Sequence, residues 1–588
     1  MLSNILKPLG APFIYLLFIS ASIGNIKIPL FQENLASESL LLLFISAVSI
    51  VQIANSKPQS SVKFPEIFFL LFFVYATIKT LLANNVETSA LCYLLFFILL
   101  YYCLRLIFAA YNFPAYSFTL LKVTVIILFA DLVFAIYHCY FKKETLTNFF
   151  IPNKSIFSIL LASQIAMVLP LYLHFKKSVF KLTDQFFIII ISSSVFLLGA
   201  TLGRAGWFGL ILALVYIGFQ NLSNTKFKKV ILYFLFPFLL LVFTLLFWYK
   251  SGSSAGRVLI YKISAGILKD NWLWGIGHGQ FKAKYNEYQA AYFSTHSIDS
   301  KEALLADNSI YAFNDFFQAV IENGLFAFLI LVAIIFLLLR QIKGTEVNKE
   351  NKHLFTAALA SLICILTASL FSYSLQIFPI AVQATLSLAI IHSFPSSQKL
   401  QIELSEKVRK VGKLVMLSLS SMLFVHFCFY FRYKTISNRA FQFKRTGYKQ
   451  KAIENYAAIN NSYIKDGNVM YSYAQELYYS NELQLAKEVI NKARKYYVSY
   501  EIYQLSAAIE NELHNYTQAE KDFKMAIYSV PNRMISRKSL LEFYLERKDT
   551  ANAIYWANSI LFMPVKVPSQ TTGNIQQKTK EILMQISK

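Results

Sequence analysis

Two arginines stand where a guanidinium could meet a phosphate. The segment GATLGRAGWFGLILAL sets Arg204 in a tight turn between two apolar runs, beside Gly199, Gly203 and Gly206. A planar, permanently charged fork at that place matches the oxygens of a phosphate. The same residue equally reads as an interfacial arginine with Trp207 as its aromatic anchor. Further on, SGSSAGRVLIYKISAGILKDNWLWGIGHGQF brings Arg257, two tryptophans and a Gly-rich turn. The next segment, DNSIYAFNDFFQAVIENGLFAFLILV, leads an acidic and amide cluster (Asn314, Asp315, Glu322) into an apolar run. A separate acid, Asp131 in FADLVFAIYH with His138 two turns on, either carries protons or makes a helix–helix hydrogen bond. Lys79 and Lys122 fall near the ends of apolar runs, where a lysine snorkels. The five cysteines (Cys92, Cys103, Cys139, Cys364, Cys428) contain no CxxC, so neither a zinc site nor a disulfide framework is legible.

These residues have to be held by a membrane domain. Apolar residues make up 56% of the 588 positions and charged residues 15%, against about 45–50% and 25% in soluble domains. No single soluble globule can hide that much apolar surface. The charge is unevenly spread: residues 433–588 hold 22 Lys+Arg and 14 Asp+Glu, and residues 1–432 hold the remaining 34 and 18. The chain reads as all-α, with a polytopic membrane domain at 1–432 and a soluble domain at 433–588. Its net charge of +24 does not point to nucleic acid, because the basic residues are scattered over loops without a basic–aromatic stripe.

Thirteen apolar runs are long enough to approach the ~30 Å of a bilayer core. They lie near 11–31, 37–54, 65–83, 89–109, 117–141, 155–175, 185–202, 205–220, 229–249, 318–340, 354–372, 376–394 and 412–431. The first resembles a signal peptide but reads as a retained anchor, since another span follows at once. With the N-terminus inside, the inner loops collect eighteen Lys and Arg, Lys63 and Arg105 among them, and the short outer loops five. That is the positive-inside bias. An odd number of spans then puts the loop 250–310 and the tail on the same outer face, which in a bacterium is the periplasmic side of the inner membrane.

The tail repeats itself. Ala452, Ala486, Ala519 and Ala553 are 34, 33 and 34 residues apart, and Ala440, Ala474, Ala507 and Leu541 precede them by twelve at the same spacings. Ile459, Ala493, Ala526 and Ile560 follow by seven. The pattern resembles the tetratricopeptide repeat over about 435–565, small residues standing where antiparallel helices touch; an unrelated helical bundle is the alternative. Such solenoids present a concave surface to a partner, which here implies a periplasmic protein.

In their order, the three outer segments resemble the O-antigen ligase/O-antigen polymerase superfamily of membrane glycosyltransferases. The resemblance covers about 150–395 and rests on Gly203-Arg204-Ala205-Gly206-Trp207, on Gly256-Arg257 followed by Asp270 to Phe281, and on Phe313-Asn314 through Glu322 and Gly324. It implies a C-type glycosyltransferase-like bundle and a donor glycan on a polyprenyl diphosphate. Transfer would occur on the periplasmic face without metal, nucleotide sugar or other cofactor. Arg204 and Arg257 would bind the diphosphate and stabilise the charge it develops on leaving. Inversion also requires a base for the acceptor proton. The family's usual histidine is replaced by Phe313, which accepts no proton. Asp315 is then the first choice and His296 the second, with Asn314 and Glu322 completing the catalytic set; Asp307 and His278 share the stretch. The acceptor is lipid A core in a ligase, another lipid-linked glycan in a polymerase, or a protein hydroxyl in an O-oligosaccharyltransferase. A flippase of lipid-linked glycans and a non-catalytic membrane scaffold are the readings from other classes.

Overall fold

The computed structural model describes residues 37–56, 61–82, 88–110, 113–140, 153–176, 181–222, 251–395 and 401–586. The expected spans at 11–31 and 229–249 lie outside them. The membrane part consists of α1 (Ser37–Asn55), α2 (Phe64–Leu82), α3 (Thr88–Ala110), α4 (Phe113–Tyr140), α5 (Lys154–Phe175), α6 (Lys181–Thr201) and α7 (Arg204–Asn221). After these come α8 (Ser251–Asp270), α9 (Phe281–Thr295), the short α10 (Lys301–Leu305), α11 (Asp315–Gly344), α12 (Lys352–Ser369) and α13 (Phe378–Ser393). Eight helices in the described residues are long and apolar enough to cross a membrane, and three shorter ones are apolar. The other eleven expected spans fall on these helices. The protein is a polytopic helical membrane protein.

Helices α5, α7 and α12 pack against one another at the centre of the bundle. Gly203, Gly206 and Gly209 make this packing close. A Cβ on Gly206 would lie 2.5 Å from the Ser158 carbonyl oxygen of α5, and one on Gly209 2.6 Å from the Cys364 carbonyl oxygen of α12. Small residues at such a stripe let backbones approach where lipid supplies no hydrophobic drive. Gly203 and Gly206, which flank Arg204, are thus packing surfaces.

A two-stranded antiparallel pair, β1 (Ser61–Lys63) with β2 (Gln401–Glu403), closes one end of the bundle. Beside it, Arg105 Nε meets Glu66 at 2.6 Å, the Tyr101 hydroxyl donates to Glu66 and touches His392 Nδ1 at 2.6 Å, and Lys63 donates to the Phe394 carbonyl. All five are buried except Tyr101, which is half-buried. Lys63 and Arg105 therefore do not extend into water as loop cations. A buried pair loses about 3–5 kcal/mol when one partner is removed, so this network holds α2, α3 and α13 in register.

A single helix, α14 (Glu406–Arg445), leads from the bundle into the tail. The composition change at Tyr433 therefore occurs within a continuous helix. Its membrane half packs on α1, with Ser420 donating to the Ser46 carbonyl at 3.0 Å and Lys413 donating to the Ala54 carbonyl at 2.8 Å. Beyond it come α15 (Lys449–Asn460), α16 (Gly467–Tyr479), α17 (Leu483–Arg494), α18 (Tyr500–Glu512), α19 (Tyr516–Ser529), α20 (Met534–Glu546), α21 (Thr550–Phe562) and α22 (Gln570–Ile586). Consecutive helices pack in pairs: α14 with α15, α16 with α17, α18 with α19, α20 with α21. Ala452, Ala486, Ala519 and Ala553 sit in the second helix of each pair and Ala440, Ala474, Ala507 and Leu541 in the first, all buried. A larger side chain at any of these positions would force the pair apart.

The tail rests on the segment 281–308. Asn286 donates to the Val498 carbonyl at 2.6 Å, Asn308 to Glu501 at 2.9 Å and Asn532 to the Ala306 carbonyl at 2.6 Å. Arg537 is fully buried and donates to the carbonyls of Ile298 (3.1 Å) and Ser559 (3.0 Å), while its Nη2 pairs with Asp299 at 2.8 Å.

Candidate functional site

Arg204 is the first residue of α7, reached through Leu202 at φ 54 and the N-cap Gly203. Its guanidinium donates to Ser254 Oγ at 3.1 Å. Ser254 and Arg257 are one turn apart on α8, and Tyr261 is one turn further, so the three share a face. The Arg257 guanidinium lies over the Phe313 ring, 5.4 Å from its centroid. The Tyr261 hydroxyl donates to the Phe313 carbonyl at 3.0 Å. Phe313 also meets Tyr373 edge-on at 5.2 Å, and Tyr373 stacks on Tyr311 at 4.1 Å and accepts a hydrogen bond from Asn153 at 2.9 Å. Burial, and then the positive charge of Arg204, depress the pKa of Arg257. Two guanidiniums that repel in this way form a site that an anion between them would relieve.

The Phe313–Asp315 stretch is irregular. Phe313 has φ 54, Asn314 is extended and N-caps α11 by accepting from Phe317 N–H at 2.9 Å, and Asp315 begins the first turn. Asp315 is buried; its Oδ2 accepts from Leu375 N–H at 2.9 Å, and its Oδ1 makes no hydrogen bond among the described residues. It therefore retains acceptor capacity.

Glu322 serves the backbone. Its carboxylate accepts from Gly279 N–H at 3.0 Å and from Gln318 at 3.1 Å, and lies 3.3 Å from His278. Next to it α11 is interrupted at Gly324, φ 76, where a Cβ would be 2.3 Å from the Leu273 carbonyl oxygen. The turn after α8 straps this break, with Gly277 N–H bonding the Glu322 carbonyl at 2.8 Å and Leu325 N–H bonding Trp272 at 2.9 Å. Lys79 donates to the same Glu322 carbonyl at 3.2 Å, so it caps the break instead of snorkelling. The Glu322 carboxylate thus ties this turn to α11 through Gly279 N–H, with Phe281 N–H at 3.4 Å.

His296 caps α9 elsewhere. It is exposed, stacks on Tyr292 at 3.9 Å, and its Nδ1 lies 2.8 Å from the Tyr292 carbonyl. Asp307 pairs with Arg533 of the tail at 3.0 Å. Asp131 is buried in α4, whereas the side chain of His138 lies outside the described ones. The structure thus gathers Arg204, Arg257, Phe313, Asn314 and Asp315 around one end of the bundle and leaves His296 with a different group. Tyr373, Asn153, Ser254 and Tyr261 join the site without having stood out in the sequence. Ser254 and Tyr261 carried one usable signal, their helical spacing from Arg257.

A cavity of about 650 Å³ is lined by residues of α2, α3, α11 and α13. Tyr311, Asp315, Gln318, Pro65 and His392 are among its lining residues. The two arginines are not among the residues lining it.

Two arginines and a buried carboxylate stand together at one end of a helical membrane bundle. Residues 187–332 match the family model described as O-antigen ligase. Arg204, Arg257, Phe313, Asp315 and Glu322 all fall within it. A membrane glycosyltransferase-type function in O-antigen processing, with the lipid bilayer and lipid-linked glycans as partners, accords with that family. No curated protein matches the chain.

Proposed function

We propose that this protein transfers a glycan from a polyprenyl diphosphate carrier to an acceptor hydroxyl, on the periplasmic face of a bacterial inner membrane. The observation that carries this reading is the Arg204–Arg257 pair, held by Ser254 and Phe313 at the bundle end. The acceptor oxygen bonds to the anomeric carbon as the bond to the diphosphate breaks on the opposite face, which inverts the configuration. Negative charge grows on the diphosphate, and two fixed guanidiniums in a poorly solvated site stabilise it without a metal. The acceptor's proton passes to a base, and Asp315 is the buried carboxylate with an open acceptor atom. Asn314 fixes the start of α11 and so the direction of Asp315. Glu322 acts at one remove, by holding the turn that contains Gly275 to Gly279.

Residues 433–588 form, on this reading, a periplasmic tetratricopeptide-like solenoid. The buried alanine ladder supports it, and its exposed concave side is suited to an acceptor or assembly protein. Deletion of the gene, followed by parallel analysis of lipopolysaccharide and glycoproteins, tests the function. Loss of glycan from one fraction, with accumulation of its carrier-linked precursor, is the expected result. Unchanged glycans in both fractions reject it.

A further inference from the structure

Asn153 fixes the direction of one hydrogen bond in the arginine site. Its Oδ1 accepts from Ser155 N–H at 2.9 Å, in the cap of α5. A backbone N–H only donates, so the oxygen of this amide faces Ser155 and its NH2 group faces Tyr373. The 2.9 Å contact with the Tyr373 hydroxyl therefore has Asn153 Nδ2 as donor and the phenol oxygen as acceptor. The phenol's own proton is left over, and no oxygen or nitrogen among the described residues takes it. Tyr261 differs, because its proton is committed to the Phe313 carbonyl at 3.0 Å.

Tyr373 stands beside the supports of both arginines. Phe313 meets its ring at 5.2 Å and carries the Arg257 guanidinium at 5.4 Å. Gly203, the residue before Arg204, packs so closely on α5 that a Cβ there would lie 2.0 Å from Ser158 Oγ and 3.4 Å from Ser155 Cα. The start of α5, where Asn153 holds Tyr373, is thus also the support beneath Arg204. Tyr311, stacked on the ring at 4.1 Å, and Asn153 at its oxygen hold the phenol in place. Two residues further along the same α12–α13 linker, Leu375 N–H bonds Asp315. A fixed O–H beside two guanidiniums suits an anionic acceptor, to which its hydrogen bond is strongest. Arg257 and Tyr373 each touch Phe313, and they are spaced by that ring. An anion that meets both is longer than one phosphate, as a diphosphate is.

We propose that Tyr373 is a third diphosphate-binding residue, donating its phenol proton to the phosphate beyond the reach of the guanidiniums, and that it makes the site prefer a diphosphate to a monophosphate ester. The inference rests on the transferase reading above. The hydroxyl keeps its proton throughout, and no covalent bond to it forms or breaks. As the donor's carbon–oxygen bond to diphosphate breaks, charge grows on the acceptor of this hydrogen bond, which strengthens with it.

The test uses the full chain in lipid nanodiscs and two fluorescent isoprenyl probes of one chain length, a diphosphate and a monophosphate. Tyr373→Phe keeps the ring, its stack and its edge contact, and removes only the donor. It should weaken diphosphate binding about tenfold or more and leave monophosphate binding and Tm unchanged. 3-Fluorotyrosine in place of Tyr373 is a stronger donor of nearly the same shape; it should tighten diphosphate binding, and it serves where the phenylalanine variant does not accumulate. An equal loss for both probes, or a diphosphate affinity that neither variant moves, overturns the assignment. Weakened diphosphate binding by Arg204→Ala in that same assay then leaves the transferase reading standing. Wild-type protein that binds neither probe and transfers nothing from a carrier-linked glycan overturns that reading together with the proposal.

Discussion

The guanidinium of Arg257 rests on the ring of Phe313, which is held in a left-handed backbone conformation at φ 54. That conformation is costly for a bulky residue. The Tyr261 hydrogen bond to its carbonyl and the edge contact with Tyr373 help to maintain it. The Phe313 ring thus helps to orient Arg257. Phe313→Leu keeps the bulk and removes the π face, worth about 0.5–2 kcal/mol. The KM for the carrier-linked donor should rise about 2- to 30-fold with a smaller change in kcat, measured by steady-state transfer.

Arg204→Ala and Arg257→Ala should each lower transfer by about two or more orders of magnitude while the protein still inserts and accumulates. Lys at either position should remain poor, because it offers a point charge where a fork is needed. Activity should persist in EDTA, since the arginines supply the positive charge. Near-normal transfer by both Ala variants removes the diphosphate assignment.

Asp315→Asn preserves shape and the bond from Leu375 N–H but removes basicity. It should cost about two or more orders of magnitude in transfer, whereas His296→Gln, out on Tyr292, should cost little. The reverse pattern would move the base into the loop.

Fusion reporters placed after Gln280 and after Gln504 should both read periplasmic. In the structure Thr88 donates to the Tyr463 carbonyl, and the 281–308 segment carries the tail, so both reporters lie at one end of the bundle. Cytoplasmic signals from both would reverse the orientation.

Arg537→Ala should loosen the tail from the loop beneath it. It strands the carbonyls of Ile298 and Ser559 and frees Asp299, a loss of about 1–3 kcal/mol for groups left buried without partners. Limited proteolysis should then cut sooner within 296–308, and transfer should fall with it. Unchanged protection would show that the tail is held by its other contacts alone.

The membrane helices were legible because apolar runs of that length have few other uses, and the start of α11 because Phe313, Asn314 and Asp315 break the run that follows. The alanine spacing located the tail's helix contacts before any coordinate did. Other features left no trace. Tyr373 is one of 36 tyrosines, and its partnership with Asn153 arises only when the starts of α5 and α13 are brought together. Lys63 and Arg105 look like loop cations because a charge at the end of an apolar run reads alike whether it meets water or Glu66. The backbone amides that Glu322 faces are likewise not legible in the order of residues, because they belong to the turn after α8.

Helix α14 has no glycine or proline from Lys413 to Thr446, so nothing along that stretch provides a joint. A rod of 40 residues, about 60 Å long, is anchored in the bilayer at one half and clasped by α15 at the other. Anything that grips the tail therefore applies torque to the membrane bundle, and the height and tilt of the tail above the lipid surface are set like those of a mast stepped into a hull.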